Sequence, residues 1–296
     1  MTRRLVVALV VLCGASVGTA LLYNNVSLAP SSRREFGNRL DKAIGHGTDW
    51  VVKQYHANGS EMAGTPEGRM LMANAPTAHM MVDCAALSGE SRLAEVASAF
   101  RAAWRENGSA LGKVVDPSMP THPLSVSEFD SLDEYQHWIL YGASPDLVRL
   151  PPEELSSLFS PDRHRTGKAT HQLLALYFYR KSKGATPELD RLMDKVAERI
   201  AGEATLDFRV TDLYLQRIAF LLAAGRPDLV RRRWVERALE AQQDDGGWLD
   251  TWYGWTRTPR RFSFGHQSTS HATAQAMWIA CMLKFRYPEW IKDNHR

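Results

Sequence analysis

Three histidines recur in one kind of context: His79 in PTAHMM, His171 in KATHQLL and His271 in STSHATAQAM. Each falls in the first turn of a candidate helix that opens with small and polar residues, so a bundle with one common end brings the three imidazoles together. Imidazole titrates near neutrality, which suits a general acid or base, and their convergence is the expected catalytic site. The plainer alternative is that each caps or packs at its own helix start. Asp83 lies four residues after His79, on the same helix face, and joins the catalytic candidates. Because His79 and Asp83 supply too few ligands for a metal, no metal and no cofactor are expected.

The stretch from Trp248 to His271, WLDTWYGWTRTPRRFSFGHQSTSH, is the densest aromatic and basic segment of the chain. Loops of this length in a compact domain are commonly functional. Tyr253 is a further acid–base candidate, and Trp248, Trp252, Trp255, Arg257 and His266 are the expected substrate contacts. Aromatic faces stack on sugar rings or line an isoprenoid pocket, and arginine pairs with carboxylates or phosphates. A lid that plugs one end of the fold with its own aromatics is the alternative. Asp133, Glu134 and His137, and Asp212, Tyr214 and Arg217, are polar groups on similar helices that ordinary buried ion pairs explain equally well.

Helices must position these groups. From residue 36 onward apolar residues recur at i, i+3, i+4 and i+7, with scarcely any alternating run. The pattern predicts helices over 36–56, 76–88, 91–106, 130–142, 168–183, 187–202, 208–224, 227–243 and 269–286, with 145–159 partly helical. Helix stops followed at once by helix starts recur at Gly89, Gly142, Gly184 and Gly225, spaced 53, 42 and 41 residues apart. Each glycine is expected at a left-handed helix end, with Ser144 or Thr186 capping the next helix. That spacing is one helix hairpin per repeat and does not fit a 34-residue tetratricopeptide array. Helices of small and apolar residues alternate with charge-rich amphipathic ones, which suits an inner and an outer layer. The expectation is about five hairpins in a closed or incomplete ring.

The run from Arg233 to Trp248 contains Gln242, Asp245, Gly246 and Trp248 in the order Q-x-x-D-G-x-W. It resembles the repeat of the α/α-toroid superfamily, which includes squalene and hopene cyclases and protein prenyltransferase β-subunits. In that superfamily the motif joins an outer helix to the following inner one. Residues Trp50–Ser60 resemble a degenerate copy that lacks the final tryptophan. The resemblance covers about 36–88 and 231–286 and implies an all-α toroid, not a reaction. The D-x-D-D acid motif of the triterpene cyclases is absent, as are a diphosphate-binding D-D-x-x-D and a prenyltransferase-type zinc set. In physical terms, the glutamine amide ties helix-end backbone groups, Asp-Gly-Gly makes a tight turn and Trp248 covers the junction.

The 296 residues carry 36 Lys+Arg against 33 Asp+Glu, with 44% hydrophobic residues. That balance excludes a disordered chain, a multispanning membrane protein and a dedicated nucleic-acid binder. Arg3 and Arg4 precede an uncharged run from Leu5 to Leu22, long enough to cross a bilayer, and orient the rest of the chain outward. Residues 1–23 are therefore expected to be a signal-anchor. A cleaved signal peptide is the alternative, since Gly18 and Ala20 are small residues at cleavage spacing. Residues 24–35 read as a linker and 36–296 as one helical domain on the periplasmic face of the inner membrane. Cys84 and Cys281 are expected either as buried thiols or as a disulfide between first and last helices. Three functions follow: an extracytoplasmic glycan lyase, hydrolase or epimerase; a terpenoid-cyclase-like or polyprenyl-lipid enzyme; and a scaffold bound to membrane-protein partners.

Overall fold

The computed structural model describes residues 14, 17–27, 31–58, 74–161, 168–207, 209–249 and 268–293. Among them the architecture is all-helical, with two isolated β-bridges and no strand. The longer helices in chain order are α1 (Arg33–Asn58), α2 (Ala75–Ser88) and α3 (Ser91–Asn107), then the short α4 (Gly112–Val115) and α5 (Val126–Asp130). They are followed by α6 (Glu134–Ala143), α7 (Pro152–Leu158), α8 (Lys168–Lys183), α9 (Pro187–Leu206) and α10 (Asp212–Ala223). Last come α11 (Arg232–Glu240), α12 (Ser270–Cys281), which runs on into a π-turn at Met282–Arg286, and α13 (Pro288–Asp293). Most of the apolar run Leu5–Leu22 lies outside the described residues, and no described helix is long and apolar enough to cross a membrane.

Local chemistry sets most helix ends. The Asn74 side chain accepts from Thr77 N at 3.3 Å and Pro76 occupies the first turn of α2, which ends at Gly89 with φ 65°. Thr186 caps α9 by accepting from Leu189 N at 3.2 Å. Gly142 departs from the expected pattern. It lies inside α6, and a Cβ there would come 2.2 Å from the Ala175 carbonyl oxygen, so it permits close packing of α6 on α8 instead of ending a helix. Ser144 accordingly closes α6 and caps nothing. The helix expected over 227–243 is also broken. A 3₁₀ turn at Pro227–Leu229 is separated from α11 by extended Val230 and Arg231, because Val230 turns inward and is buried.

Packing follows the two helix types. On α12 every residue except His271 is buried, whereas α9 buries the single stripe Leu189, Met193, Val196, Ala197, Ile200 and Ala204. Contacts run from α2 to α12, α10, α8, α6 and α4, and from α4 back to α2. Helix α1 lies across α12, α3, α11 and α13. Cys84 on α2 and Cys281 on α12 are both free, buried thiols, and burial together with the Cys281 neighbour pushes the Cys84 thiol pKa up.

The segment read as a linker begins inside the protein. A helical stretch at 17–25 ends at Asn25, and Asn24 in its last turn is completely buried. Asn24 Nδ2 donates to Ala204 O at 2.8 Å, and its Oδ1 accepts from Tyr214 Oη at 3.1 Å and Arg237 Nη1 at 2.5 Å. Asn25 adds a donation to Thr205 O and accepts from Trp234 Nε1 at 3.0 Å.

Candidate active site

A cavity of about 390 Å³ opens where the N-terminal ends of α2, α6, α8, α10 and α12 meet. His171 and His271 both line it, as expected. Its floor is apolar, with Met80, Leu111, Ile139, Leu174 and Phe220, and its rim carries the two histidines, Tyr135 and Gln216.

His271 is held at both ring nitrogens. Nε2 lies 3.1 Å from Asp212 Oδ1, and Nδ1 lies 3.1 Å from Thr77 Oγ1. A carboxylate only accepts, so with the proton on Nε2 the ring donates to Asp212 and Nδ1 accepts from the Thr77 hydroxyl; with the proton on Nδ1 the ring donates to Thr77 Oγ1 and Nε2 accepts from Gln275 Nε2, 2.8 Å away. Gln275 Nε2 donates to Asp212 Oδ1 at 2.9 Å and Gln216 Nε2 to Asp212 Oδ2 at 2.7 Å. Burial by itself raises the Asp212 pKa. The hydrogen bond and charge of His271, the Gln275 amide and the charge of His171 outweigh it and keep the carboxyl below its ordinary value. Gln216 and Gln275 each follow their partner by one helical turn, at Asp212+4 and His271+4. His171 lies against the Tyr135 ring, with centroids 4.6 Å apart, and its Nδ1 is 3.5 Å from Thr170 Oγ1.

His79 is a correction to the expected convergence. It is 4% exposed and lines neither the cavity nor its rim. Thr77 is the residue of α2 that meets His271, and two positions later a side chain is turned about 200° round the helix. His79 is packed instead among Phe178, Trp278 and Tyr177, at ring separations of 4.9, 5.8 and 6.0 Å. Burial, reinforced by the charges of Lys181 and Arg286 and opposed by Asp83, lowers its pKa to about 4. Asp83 is likewise engaged in the core, accepting from Trp278 Nε1 at 2.6 Å and Arg286 Nη2 at 2.8 Å.

Trp248 is buried and lies away from the cavity lining. Its Nε1 donates to Ala238 O at 2.8 Å and its backbone N to Thr273 Oγ1 at 3.0 Å. The surrounding turn works as its residue types suggest. Gln242 Nε2 donates to Gly246 O at 2.8 Å, and Asp245 accepts from Gly247 N and Ser268 Oγ. Gly246 has φ 94°, and a Cβ there would meet the His46 carbonyl oxygen at 2.4 Å. Trp252, Tyr253, Trp255, Arg257 and His266 lie outside the described residues. Thr269 N donates to Trp248 O at 2.8 Å, so the two ends of that loop are joined two residues from His271.

The remaining polar groups make their pairs outside the cavity lining. Asp133 caps α6, Glu134 pairs with Lys168, and His137 stacks on Phe129 with Nδ1 3.1 Å from Glu154. Arg217 pairs with Asp207 at 2.7 Å and Glu203 at 3.3 Å. No protein-family model, curated protein or solved structure matches this chain.

Proposed function

We propose that this chain is an exported, membrane-anchored α/α-toroid protein that binds and processes an extracytoplasmic glycan by acid–base chemistry. The observation that carries this reading is the pair of histidines on one cavity rim, one of them locked to a carboxylate. A fixed Asp212–His271 pair stabilises an imidazolium on His271, while His171 is the group that takes a proton from, or returns it to, a bound sugar. Tyr135 beside His171 supplies a ring face for a pyranose, and about 390 Å³ falls within the range of small-molecule sites. The toroid is supported by the closed circuit of helix contacts and by the Gln242–Trp248 turn. The anchor is supported by Arg3, Arg4 and the uncharged run that follows them.

The apolar floor favours a second reading, in which an isoprenoid chain occupies the same cavity. Full-length protein in detergent, offered uronate-containing oligosaccharides and polyprenyl lipids in parallel, separates the two by mass spectrometry of bound and converted species. The glycan reading expects turnover of an oligosaccharide that falls roughly 100-fold or more in His171→Gln and His271→Gln. Capture of the lipid alone overturns it in favour of the second reading. Failure to bind either leaves a scaffold.

A further inference from the structure

The helical stretch at 17–25 joins two regions that the sequence separates. Its residues 17–22 close the uncharged run Leu5–Leu22, and its last turn carries the completely buried Asn24. No spacer stands between them, because Asn24 follows Leu22 by two residues, or about 3 Å of helix. The polar layer of a bilayer is about 5–7 Å deep on each side of its hydrocarbon core. With Leu22 at the hydrocarbon edge, Asn24 lies at headgroup depth, and so do the protein groups that bury it.

Those groups come from the end of α9 and from α10 and α11. Asn24 Nδ2 donates to Ala204 O, and its Oδ1 accepts from Tyr214 and Arg237. Asn25 Nδ2 donates to Leu21 O at 2.7 Å and to Thr205 O at 2.9 Å, so one amide clips the helix at 17–25 to the last turn of α9. Arg233 Nε donates to Tyr23 O at 3.1 Å, and the guanidinium groups of Arg233 and Arg237 each lie 4.9 Å from the Tyr23 ring centroid. Held at three successive residues, this helix is a rigid arm of the domain.

Exposed apolar side chains concentrate at the same junction. Among the described residues eight large ones are exposed, and Val17, Leu22, Tyr23, Val26 and Leu206 lie on residues 17–26 or on the α9 turn clipped to them. Leu206 is the informative one, because it belongs to α9 and not to the run. It is 67% exposed and stands two positions after Ala204, the last member of the buried stripe of α9, so it leaves the helix on the side away from the core. Core packing does not account for an outward leucine there, whereas burial in lipid does. The tyrosine and arginines beside it suit the headgroup level. The rest of the outer face of α9 is charged, with Glu188, Arg191, Asp194, Lys195 and Glu198 exposed, so the helix meets an apolar phase by its end alone.

We propose that the last turn of α9 and residues 22–26 form a seat in the headgroup layer of the bilayer that holds the N-terminal run, with Leu206 inserted and α9 rising away from the surface. The seat rests on the membrane-anchor part of the proposed function and adds to it a contact made by the domain itself, and hence a fixed orientation. It also brings the cavity close to lipid, since the six residues from Leu206 to Asp212 cannot span more than about 21 Å.

Spin-label depth measurement on the full-length protein in nanodiscs of phosphatidylcholine and phosphatidylglycerol tests it. A nitroxide is attached to Leu206→Cys and, separately, to Glu188→Cys, both in a Cys13→Ser background, with the buried Cys84 and Cys281 left unlabelled. Glu188 lies on the same face of α9, eighteen residues or about 27 Å away along its axis. Oxygen concentrates in lipid and a nickel chelate in water, so the ratio of oxygen to chelate collisions is expected to be roughly three-fold or more higher at Leu206 than at Glu188. Leu206 is exposed, so its replacement leaves the fold intact, which the urea midpoint checks. Equal ratios at the two sites, with the protein retained in the nanodisc, overturn the seat and leave the anchor standing. A chain that does not enter the nanodisc overturns the anchor, and the seat with it.

Discussion

Asn24→Ala tests whether the chain N-terminal to α1 is part of the folded domain. The side chain is completely buried and makes four hydrogen bonds, two as donor to the Ala204 and Thr205 carbonyls and two as acceptor from Tyr214 and Arg237. Truncation leaves the Tyr214 hydroxyl and one Arg237 N–H without their acceptor, in surroundings where Tyr214 is 0% and Arg237 2% exposed. A buried neutral donor left unpaired costs about 1–3 kcal/mol, and one on a charged group more. The Ala204 carbonyl loses its donor too, whereas Thr205 O keeps Asn25. With partial relaxation the expected destabilisation is about 4 kcal/mol. For a domain of this size a urea slope of ~3 kcal/mol/M turns that into a midpoint shift of roughly 1.3 M. Urea unfolding followed by the fluorescence of the nine tryptophans reads the shift directly. A loss below about 1 kcal/mol would mean that Asn24 is a detachable tether, and the argument from its hydrogen bonds would fail.

Asp83→Ala should destabilise by about 3 kcal/mol, because it strands Arg286 and the Trp278 indole, while ligand binding in the cavity stays within three-fold of wild type; a selective loss of turnover without loss of stability would restore Asp83 to the reaction. His79, with its pKa lowered to about 4, is neutral in the fold, whereas the unfolded chain takes up its proton near 6.5. Stability is therefore full above 6.5 and declines as pH falls toward 4, by on the order of 3 kcal/mol, and His79→Phe should flatten that part of the urea-midpoint profile. Asp212 has the opposite origin but adds in the same direction. Its depressed pKa stabilises the fold above the ordinary value of 3.8, and that contribution disappears as pH falls through the folded value; Asp212→Asn should abolish this acid limb. Cys84 and Cys281, both buried, should resist iodoacetamide in native protein and react on unfolding, as counted by mass spectrometry.

Part of the site was readable in the sequence, through position in a repeated element. His171 and His271 stood at the starts of helices rich in small residues, and helices of that kind do gather at one end. His79 satisfied the same rule and failed, because α2 begins with an asparagine cap and Pro76, so that Thr77 holds the phase that His271 requires. Asp212 was visible only as one acid among several. Its partner is 59 residues away, and only the packing of α10 against α12 makes them a pair. Gln216 and Gln275 stand one helical turn after Asp212 and His271, a local spacing, whereas Tyr135 meets His171 only through the packing of α6 on α8.

By itself the sequence determined the helical class, most helix ends and the Gln242–Trp248 turn. These depend on 3.6-residue periodicity, capping groups and glycine conformation, all of which act within a few residues. Tertiary structure alone decided which polar groups meet and which are consumed by the core. Gly142 became a point of helix contact instead of a helix end because Ala175 packs against it. Asn24 became a buried anchor because Tyr214 and Arg237 surround it, and His79 a neutral core residue because three aromatic rings enclose it. Burial and pairing are properties of neighbours brought together by folding, and helical spacing sets only the direction in which each side chain leaves its own axis.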